Sequence, residues 1–176
     1  LDRFPVGSGR ELSICRGALT DQHVDALVSS DDQYLSMNVG IAADILAAAG
    51  PTVQTDIKHY IPVCPGRAVV TPAGKLPARV IMHGVMRGTK YGLLRVHPSS
   101  DLLREVVTSC FYHADTLNIH SIALPPLGIE GGGLEMEESL VETFTAALKV
   151  LARGATAVRS VAIVIPNYYT SAPRDA

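Results

Sequence analysis

The sequence predicts an α/β fold: a three-layer α/β/α sandwich around a mixed, mostly parallel sheet of about six strands. Three observations predict it. Short, continuously apolar runs recur along the chain, the pattern of strands buried on both faces. Segments with helical spacing lie between these runs, and such alternation places helices on both faces of a sheet. With 176 residues, 47% hydrophobic and 18% charged, the chain can build one domain with a sizeable core.

The strand-like runs are Glu11–Cys15 (ELSIC), Asp25–Ser29 (DALVS), Ala68–Pro72 (AVVTP), Arg79–Val85 (RVIMHGV), Ser121–Leu124 (SIAL) and Ser160–Ile165 (SVAIVI). Ile14, Leu27, Val28, Val69, Ile81, Ile122, Leu124 and Val164 are expected in the central sheet. A first helix covers Gly40–Ala49 and stops at Gly50-Pro51, and a short one follows Thr52 through Ile57. A third runs from Asp101 to about Leu117, capped by Ser100 or Asp101, with Leu103, Val106, Val107, Cys110 and Ala114 inward. The fourth, Glu137–Arg153, repeats Leu140, Phe144, Ala147, Leu148 and Leu151 at helical spacing. Its acids stand at the start, Lys149 and Arg153 near the end, and Gly154 follows, as a helix dipole and a glycine C-cap require. The stretch Met86–Pro98 is too irregular for an element and reads as a long surface loop. Residues 1–176 read as a single domain with its core at about 11–169, compatible with a domain cut from a longer chain.

Bulk properties exclude several classes. A net charge of −2 offers no basic excess to hold a nucleic-acid backbone. No apolar run approaches the ~20 residues of a membrane span. Cys15, Cys64 and Cys110 have no metal-ligand spacing, and their odd number fits a reduced, cytoplasmic setting in which they serve as small core hydrophobes. No metal or cofactor is implied.

Two strand-to-helix junctions could carry chemistry. One is Val28–Gly50 (VSSDDQYLSMNVGIAADILAAAG). The other, Ala123–Glu138 (ALPPLGIEGGGLEMEE), runs through Gly128, Gly131, Gly132 and Gly133 into the long helix. Such junctions lie at the carboxyl ends of strands, where ligands of open α/β sheets bind. Backbone N–H groups at a helix N-terminus, with glycines permitting close approach, suit phosphate. On composition alone, a glycine run after Pro-Pro is more often a plain flexible connection.

Longer motifs add a resemblance. The segment Gly66–Val85 (GRAVVTPAGKLPARVIMHGV) resembles the Gly-x-Ala-x-x-Thr-x-Gly…Leu-Pro…Val-Ile-His segment of macro domains, the family of ADP-ribose-binding modules and ADP-ribosyl hydrolases. The stretch ICRGALTDQHVDALVSS (residues 14–30) resembles that family's first strand, its Gly-Asp-Ile-Thr turn and its Val-Asp-Ala-Ile-Val-Asn strand. The stretch NIHSIALPPLG (residues 118–128) resembles its Ser-Ile-Ala-Phe-Pro strand. The resemblance covers roughly Glu11–Tyr169.

It implies an ADP-ribose cleft whose motif positions are altered here. The family's adenine-recognising Asp falls on Ala18, beside Leu19. Its Asn-Ala-Ala-Asn motif falls on Ser29, Ser30, Asp31 and Asp32, so the ribose-facing Asn is Asp32. Its glycine run falls on Met37, Asn38, Val39 and Gly40. The catalytic Asp of many hydrolases, or its Gly neighbour, falls on Ala42 and Ala43. Its second-loop Thr-Gly falls on Ile129 and Glu130, followed by Gly131, Gly132, Gly133 and Leu134; a one-residue shift puts Gly131 in the phosphate position instead. Met37 and Val39 restrict backbone approach, two acids repel an anion, and the helix N-terminus at Gly40 and Ile41 keeps its anion preference. Asn167 and Tyr168 end the last strand, where the family places an aromatic against the base; Tyr168 and Tyr169 either stack on a ligand or pack on an edge.

Other side chains have structural readings beside functional ones. Asp31 and Asp32 are a metal site or acid/base pair on one reading, and a turn before a helix on the other. His83, at the end of an apolar strand, is expected in a satisfied structural role, and His59, His113 and His120 form no metal spacing. Three functions then compete. The first is a binding module for ADP-ribose or a related NAD-derived nucleotide, free or on an ADP-ribosylated protein, with altered specificity and no catalytic residue. The second is an ADP-ribosyl hydrolase, which needs a group to position water; with Ala42 in place of the carboxylate, only Asp31 or Asp32 could serve. The third is a degenerate fold acting as a structural or protein-interaction domain.

Overall fold

The computed structural model describes residues 1–169. In chain order these form β1 (Asp2–Pro5), β2 (Glu11–Arg16), a 3-10 turn (Leu19–Asp21), β3 (Ala26–Asp32), α1 (Gly40–Ala49), α2 (Thr52–Ile57), β4 (Ala68–Pro72), β5 (Val80–Lys90), β6 (Leu94–Val96), α3 (Ser100–Thr116), β7 (Ser121–Leu124), α4 (Met136–Arg153) and β8 (Ser160–Ile165). The strand order is β1-β2-β8-β7-β3-β5-β4, with β6 paired to β5 off that path. The pairs β2–β8, β8–β7, β7–β3 and β3–β5 are parallel; β1–β2, β4–β5 and β5–β6 are antiparallel.

Strand alternation assigns the two faces. Ala26 and Val28, Ile122 and Leu124, and Val161 and Ile163 point into one core with α3 and α4 residues such as Leu103, Val106, Ala147 and Leu151. Leu27, Ala123, Ile81 and Val164 point into the other, with Ile41, Ile45, Val53 and Ile57 of α1 and α2. Two cores, one on each side of the sheet, make the three-layer sandwich. Burying one such Leu or Ile side chain contributes ~1.5–3 kcal/mol.

The helix ends follow their local chemistry. The side-chain oxygen of Ser99, rather than of Ser100 or Asp101, accepts from Leu102 N at 3.2 Å and caps α3; Asp101 instead sits in the first turn. Helix α4 carries Glu137 and Glu138 in its first turn and Arg153 in its last. It ends on Gly154 at φ 70°, the left-handed conformation glycine adopts without penalty.

Three expectations are corrected. The sheet has eight strands rather than about six, because β1 and β6 lie at its margins, where little burial imprints no apolar pattern. The stretch Met86–Pro98 is not a loop: β5 runs on to Lys90 and turns back into β6, pairing Gly88 with Val96 and Lys90 with Leu94. Its tip leaves Tyr91 and Leu93 exposed, so the hairpin has no buried face to read. The cysteines also differ from one another: Cys110 is buried, Cys15 half-buried and Cys64 exposed, so Cys64 is no core residue. No helix among the described residues is long and apolar enough to cross a membrane.

Candidate ligand-binding cleft

The carboxyl ends of β2, β3, β5, β7 and β8 converge on one rim of the sheet, with the N-terminus of α1 facing them. Two cavities open there. The smaller, of about 170 Å³, is lined by Ser30, Asp31, Asp32, Met37, Asn38, Val39, Ala42, Met86, Arg87, Gly128 and Glu130. The larger, of about 500 Å³, is lined by Gly17, Ala18, Leu19, Thr20, Ile41, Asp44, Ala47, Ala48, Pro166, Asn167 and Tyr168. Glu130 marks the boundary between them. A Cβ placed on Gly40 would overlap the Glu130 carboxylate, so that carboxylate lies directly on the first residue of α1. The hydroxyl of Tyr169 donates to Glu130 Oε1 at 3.0 Å. The guanidinium of Arg87 donates to the Glu130 carbonyl. A side-chain carboxylate thus lies at the N-terminal end of α1, the end whose dipole favours an anion.

The flanking loops are tied to the strands. Gly128 N donates to Ser30 Oγ at 3.1 Å, linking the β7 exit to the β3 end. Leu134 N donates to the Gly128 carbonyl at 2.8 Å and closes the glycine turn. Gly133 is pressed against that carbonyl so closely that a side chain there would collide with it. Across the sheet Arg16 Nη1 holds the Tyr169 carbonyl at 2.8 Å.

The two acids of β3 have separate fates. The Asp32 carboxylate accepts from Tyr34 N at 2.8 Å and Ser36 N at 3.4 Å, an Asx-type turn that bends the chain off the strand. Asp31 points into the sheet face beneath α1. Its Oδ2 lies 3.2 Å from His83 Nδ1, and His83 Nε2 lies 2.9 Å from Thr71 Oγ1. The Asp31 and His83 side chains are 1% and 0% exposed. His83 is therefore a satisfied structural residue, as expected, while Asp31 is neither in a turn nor a helix cap. Asp31 Oδ1 and Ser29 Oγ are buried without a hydrogen-bond partner among the described residues.

Tyrosine chemistry reflects the enclosure. Partial burial, reinforced by the Glu130 and Asp44 carboxylates, pushes the Tyr168 phenol up to about 12. Burial and the hydrogen bond to Glu130 raise Tyr169 further.

Of the positions expected to bind ligand, Asp31, Asp32, Val39, Gly128 and Glu130 meet at the smaller cavity, and Ala18, Leu19, Ile41, Asn167 and Tyr168 at the larger. Gly40, Ile129, Gly131, Gly132, Gly133 and Leu134 line neither. Gly40 lies under Glu130, Gly131 beside the Arg87 guanidinium, and half-buried Leu134 packs on the α3/α4 core. Met37 is itself buried in the α1/α2 core, whereas Val39 is exposed. Sequence reasoning missed Arg87, the one cationic side chain of the smaller cavity, and Asp44, the one charged side chain of the larger. Arg87 lies in the Met86–Pro98 stretch, whose irregular sequence shows no strand; Asp44, three residues after Ile41 and four before Ala48, falls on the Ile41–Ala48 stripe of α1, and that stripe was its available signal. No group of three or more His, Cys, Asp or Glu among the described residues is placed to hold a metal ion.

Comparison with known proteins gives this geometry a family. A sequence profile described as Macro domain matches residues 28–142. An uncharacterised protein of Sulfolobus acidocaldarius is 34% identical over 134 residues, 73% of this chain and 71% of that protein. A Salmonella gallinarum protein named O-acetyl-ADP-ribose deacetylase is 33% identical over 120 residues, 66% of this chain and 65% of the relative. Among solved structures, the Oceanobacillus iheyensis macrodomain with ADP superposes with a TM-score of 0.80 at 16% identity, covering 95% of this chain and 89% of its own. The Trypanosoma brucei macrodomain in complex with ADP-ribose superposes at 0.78 with 21% identity, covering 88% and 63%.

Proposed function

This chain belongs to the macro domain family, and from that membership and its divided cleft we propose that it is a binding module for ADP-ribose or a related NAD-derived nucleotide, free or carried on a modified protein. The observation that carries this reading is the pairing of an apolar cavity with a helix N-terminus at the carboxyl rim of the sheet. The larger cavity has mostly small apolar walls and suits a flat base with a ribose. The α1 N-terminus suits the pyrophosphate, and the smaller cavity suits a second ribose. The solved relatives whose names include ADP or ADP-ribose support that choice of ligand.

The cleft differs from a standard site in its own charge. Glu130 fills the anion seat, so specificity is altered and plain ADP-ribose binds weakly in the resting arrangement. No catalytic residue is assigned: Ala42 brings no carboxylate, Asp32 is used in a turn, and Asp31 is enclosed. A thermal-shift screen with ADP-ribose, NAD and cyclic ADP-ribose tests the reading. A true ligand at a hundredfold excess over its Kd adds ~2.7 kcal/mol of apparent stability. No shift with any of them, in the parent and in Glu130→Gly, would leave the fold as a structural or protein-interaction domain.

A further inference from the structure

The loss of the carboxylate at Ala18 leaves the larger cavity without the acceptor that the family resemblance implies, yet the cavity does contain a carboxylate. It comes from α1. Ile41, Asp44 and Ala48 form one stripe along α1, and that stripe lines the cavity together with Ala18, Leu19 and Tyr168. Asp44 is the one charged side chain among these lining residues. Its carboxylate makes no hydrogen bond or ion pair among the described residues; the ion pairs there join other groups. Asp44 and Tyr168 line the same cavity.

From this arrangement we infer that Asp44 is the base-recognising residue of the cleft: its carboxylate accepts from the exocyclic amine of a purine held between the α1 stripe and the Ala18–Leu19 turn, with Tyr168 beside it. The inference rests on the nucleotide-binding reading proposed above and adds to it the identity of the base-selecting group. The chemistry is specific. An ionised carboxylate is acceptor-only, so it rewards an amine donor and gives nothing to a bare ring carbon. A site built around one polar group rejects an analogue lacking its partner far better than an apolar slot rejects a change of size. Moving the acceptor from the turn to the helix keeps the selectivity while the turn position becomes Ala18.

The test compares ADP-ribose with its desamino analogue, in which unsubstituted purine replaces adenine, by calorimetry. Both are measured on the parent, on Asp44→Ala, and on the same two proteins carrying Glu130→Gly, so that a filled anion seat is not mistaken for a missing base subsite. Asp44 is exposed on an Ala-rich helix, so the alanine variant keeps its fold. The expected result is a preference for the amino form of about tenfold or more, the usual worth of a hydrogen bond to a charged group, abolished by Asp44→Ala with desamino binding unchanged. Equal binding of the two nucleotides by the parent, or a preference that survives Asp44→Ala, overturns the role of Asp44 and leaves the cleft reading intact. Binding of neither nucleotide by any of the four proteins overturns both.

Discussion

The Tyr169 hydroxyl donates to Glu130 Oε1 at 3.0 Å where that carboxylate rests on the backbone of Gly40. One interaction thereby links the exit of β8, the glycine turn after β7 and the start of α1. It also puts a carboxylate at the N-terminus of α1, where the proposed nucleotide would place its pyrophosphate. The cleft of this macro domain is accordingly filled at its centre and open at both ends.

Removing that charge should improve binding of pyrophosphate-containing nucleotides. A carboxylate ~4–5 Å from a phosphate oxygen costs roughly 3–4 kcal/mol at an effective dielectric near 20, less where water reaches it. That offsets much of what a few backbone N–H groups contribute to holding a phosphate. Glu130→Gly and Glu130→Gln should each tighten ADP-ribose binding at least tenfold by calorimetry at low ionic strength, and the gain should shrink in high salt. Affinities equal to the parent's would mean that the side chain swings clear of the ligand at no cost.

The same contact should be visible in the ultraviolet. Tyr168 is pushed up to about 12 by burial and then by the charges of Glu130 and Asp44, and Tyr169 is raised by burial and its bond to Glu130. Both folded values lie above the ordinary phenol value of ~10. The neutral phenols therefore add stability that is fully present below pH ~10 and lost as pH rises through the folded values. Of the six tyrosines, Tyr168 and Tyr169 should ionise last in a phenolate absorbance titration. Glu130→Gln should bring Tyr169 back toward the rest. A parent in which all six titrate together would remove the contact from the solution structure.

How much of this was legible in the sequence depended on burial. The runs Ala68–Pro72, Ser121–Leu124 and Ser160–Ile165 are strands to the residue, because apolar content is forced where both faces are covered. Helix α1 was bounded by Gly40 and the Gly50-Pro51 stop, and α4 by its charge order and Gly154. Strands β1 and β6 lie at the margins of the sheet and left no imprint. The cleft was readable as loops at strand ends but not as side-chain directions. Asp31 and Asp32 are neighbours in sequence, yet strand alternation sends Asp31 into the sheet face beneath α1 while Asp32 turns to the Tyr34 and Ser36 amides. That Glu130 reaches Gly40 depends on how the glycine turn folds back, which composition alone does not specify.

Thiol reactivity should separate Cys64 from Cys110. Burial pushes the Cys110 thiol up to about 12, so almost none is thiolate near neutrality, whereas Cys64 is exposed. An alkylating reagent at pH 8 should label Cys64 rapidly and Cys110 only when the protein unfolds. The neutral Cys110 thiol adds stability that is complete below the ordinary thiol value and is lost as pH rises toward 12. Labelling of native Cys110 at the rate of Cys64 would contradict the packing of α3 on the sheet.

The buried Asp31–His83–Thr71 chain should matter for stability rather than for turnover. Asp31 Oδ2 and the two ring nitrogens of His83 are partnered inside the sheet face beneath α1, at 3.2 Å and 2.9 Å, with both side chains essentially enclosed. Leaving a buried polar group without its partner costs ~1–3 kcal/mol. Asp31→Ala should therefore lower the unfolding free energy by about that amount, measured by urea denaturation. Asp32→Ala loses the acceptor for Tyr34 N and Ser36 N and should cost ~1 kcal/mol, since that turn is solvent-accessible. Both acids line the smaller cavity, but Asp31 is held by His83 and Asp32 by the Tyr34 and Ser36 amides, and Ala42 adds no carboxylate there. The parent should accordingly release little or no ADP-ribose from a modified protein substrate. Robust release that Asp31→Asn abolishes while the urea midpoint stays unchanged would reverse the assignment. It would make Asp31 the group that activates water, with His83 and Thr71 holding it in place.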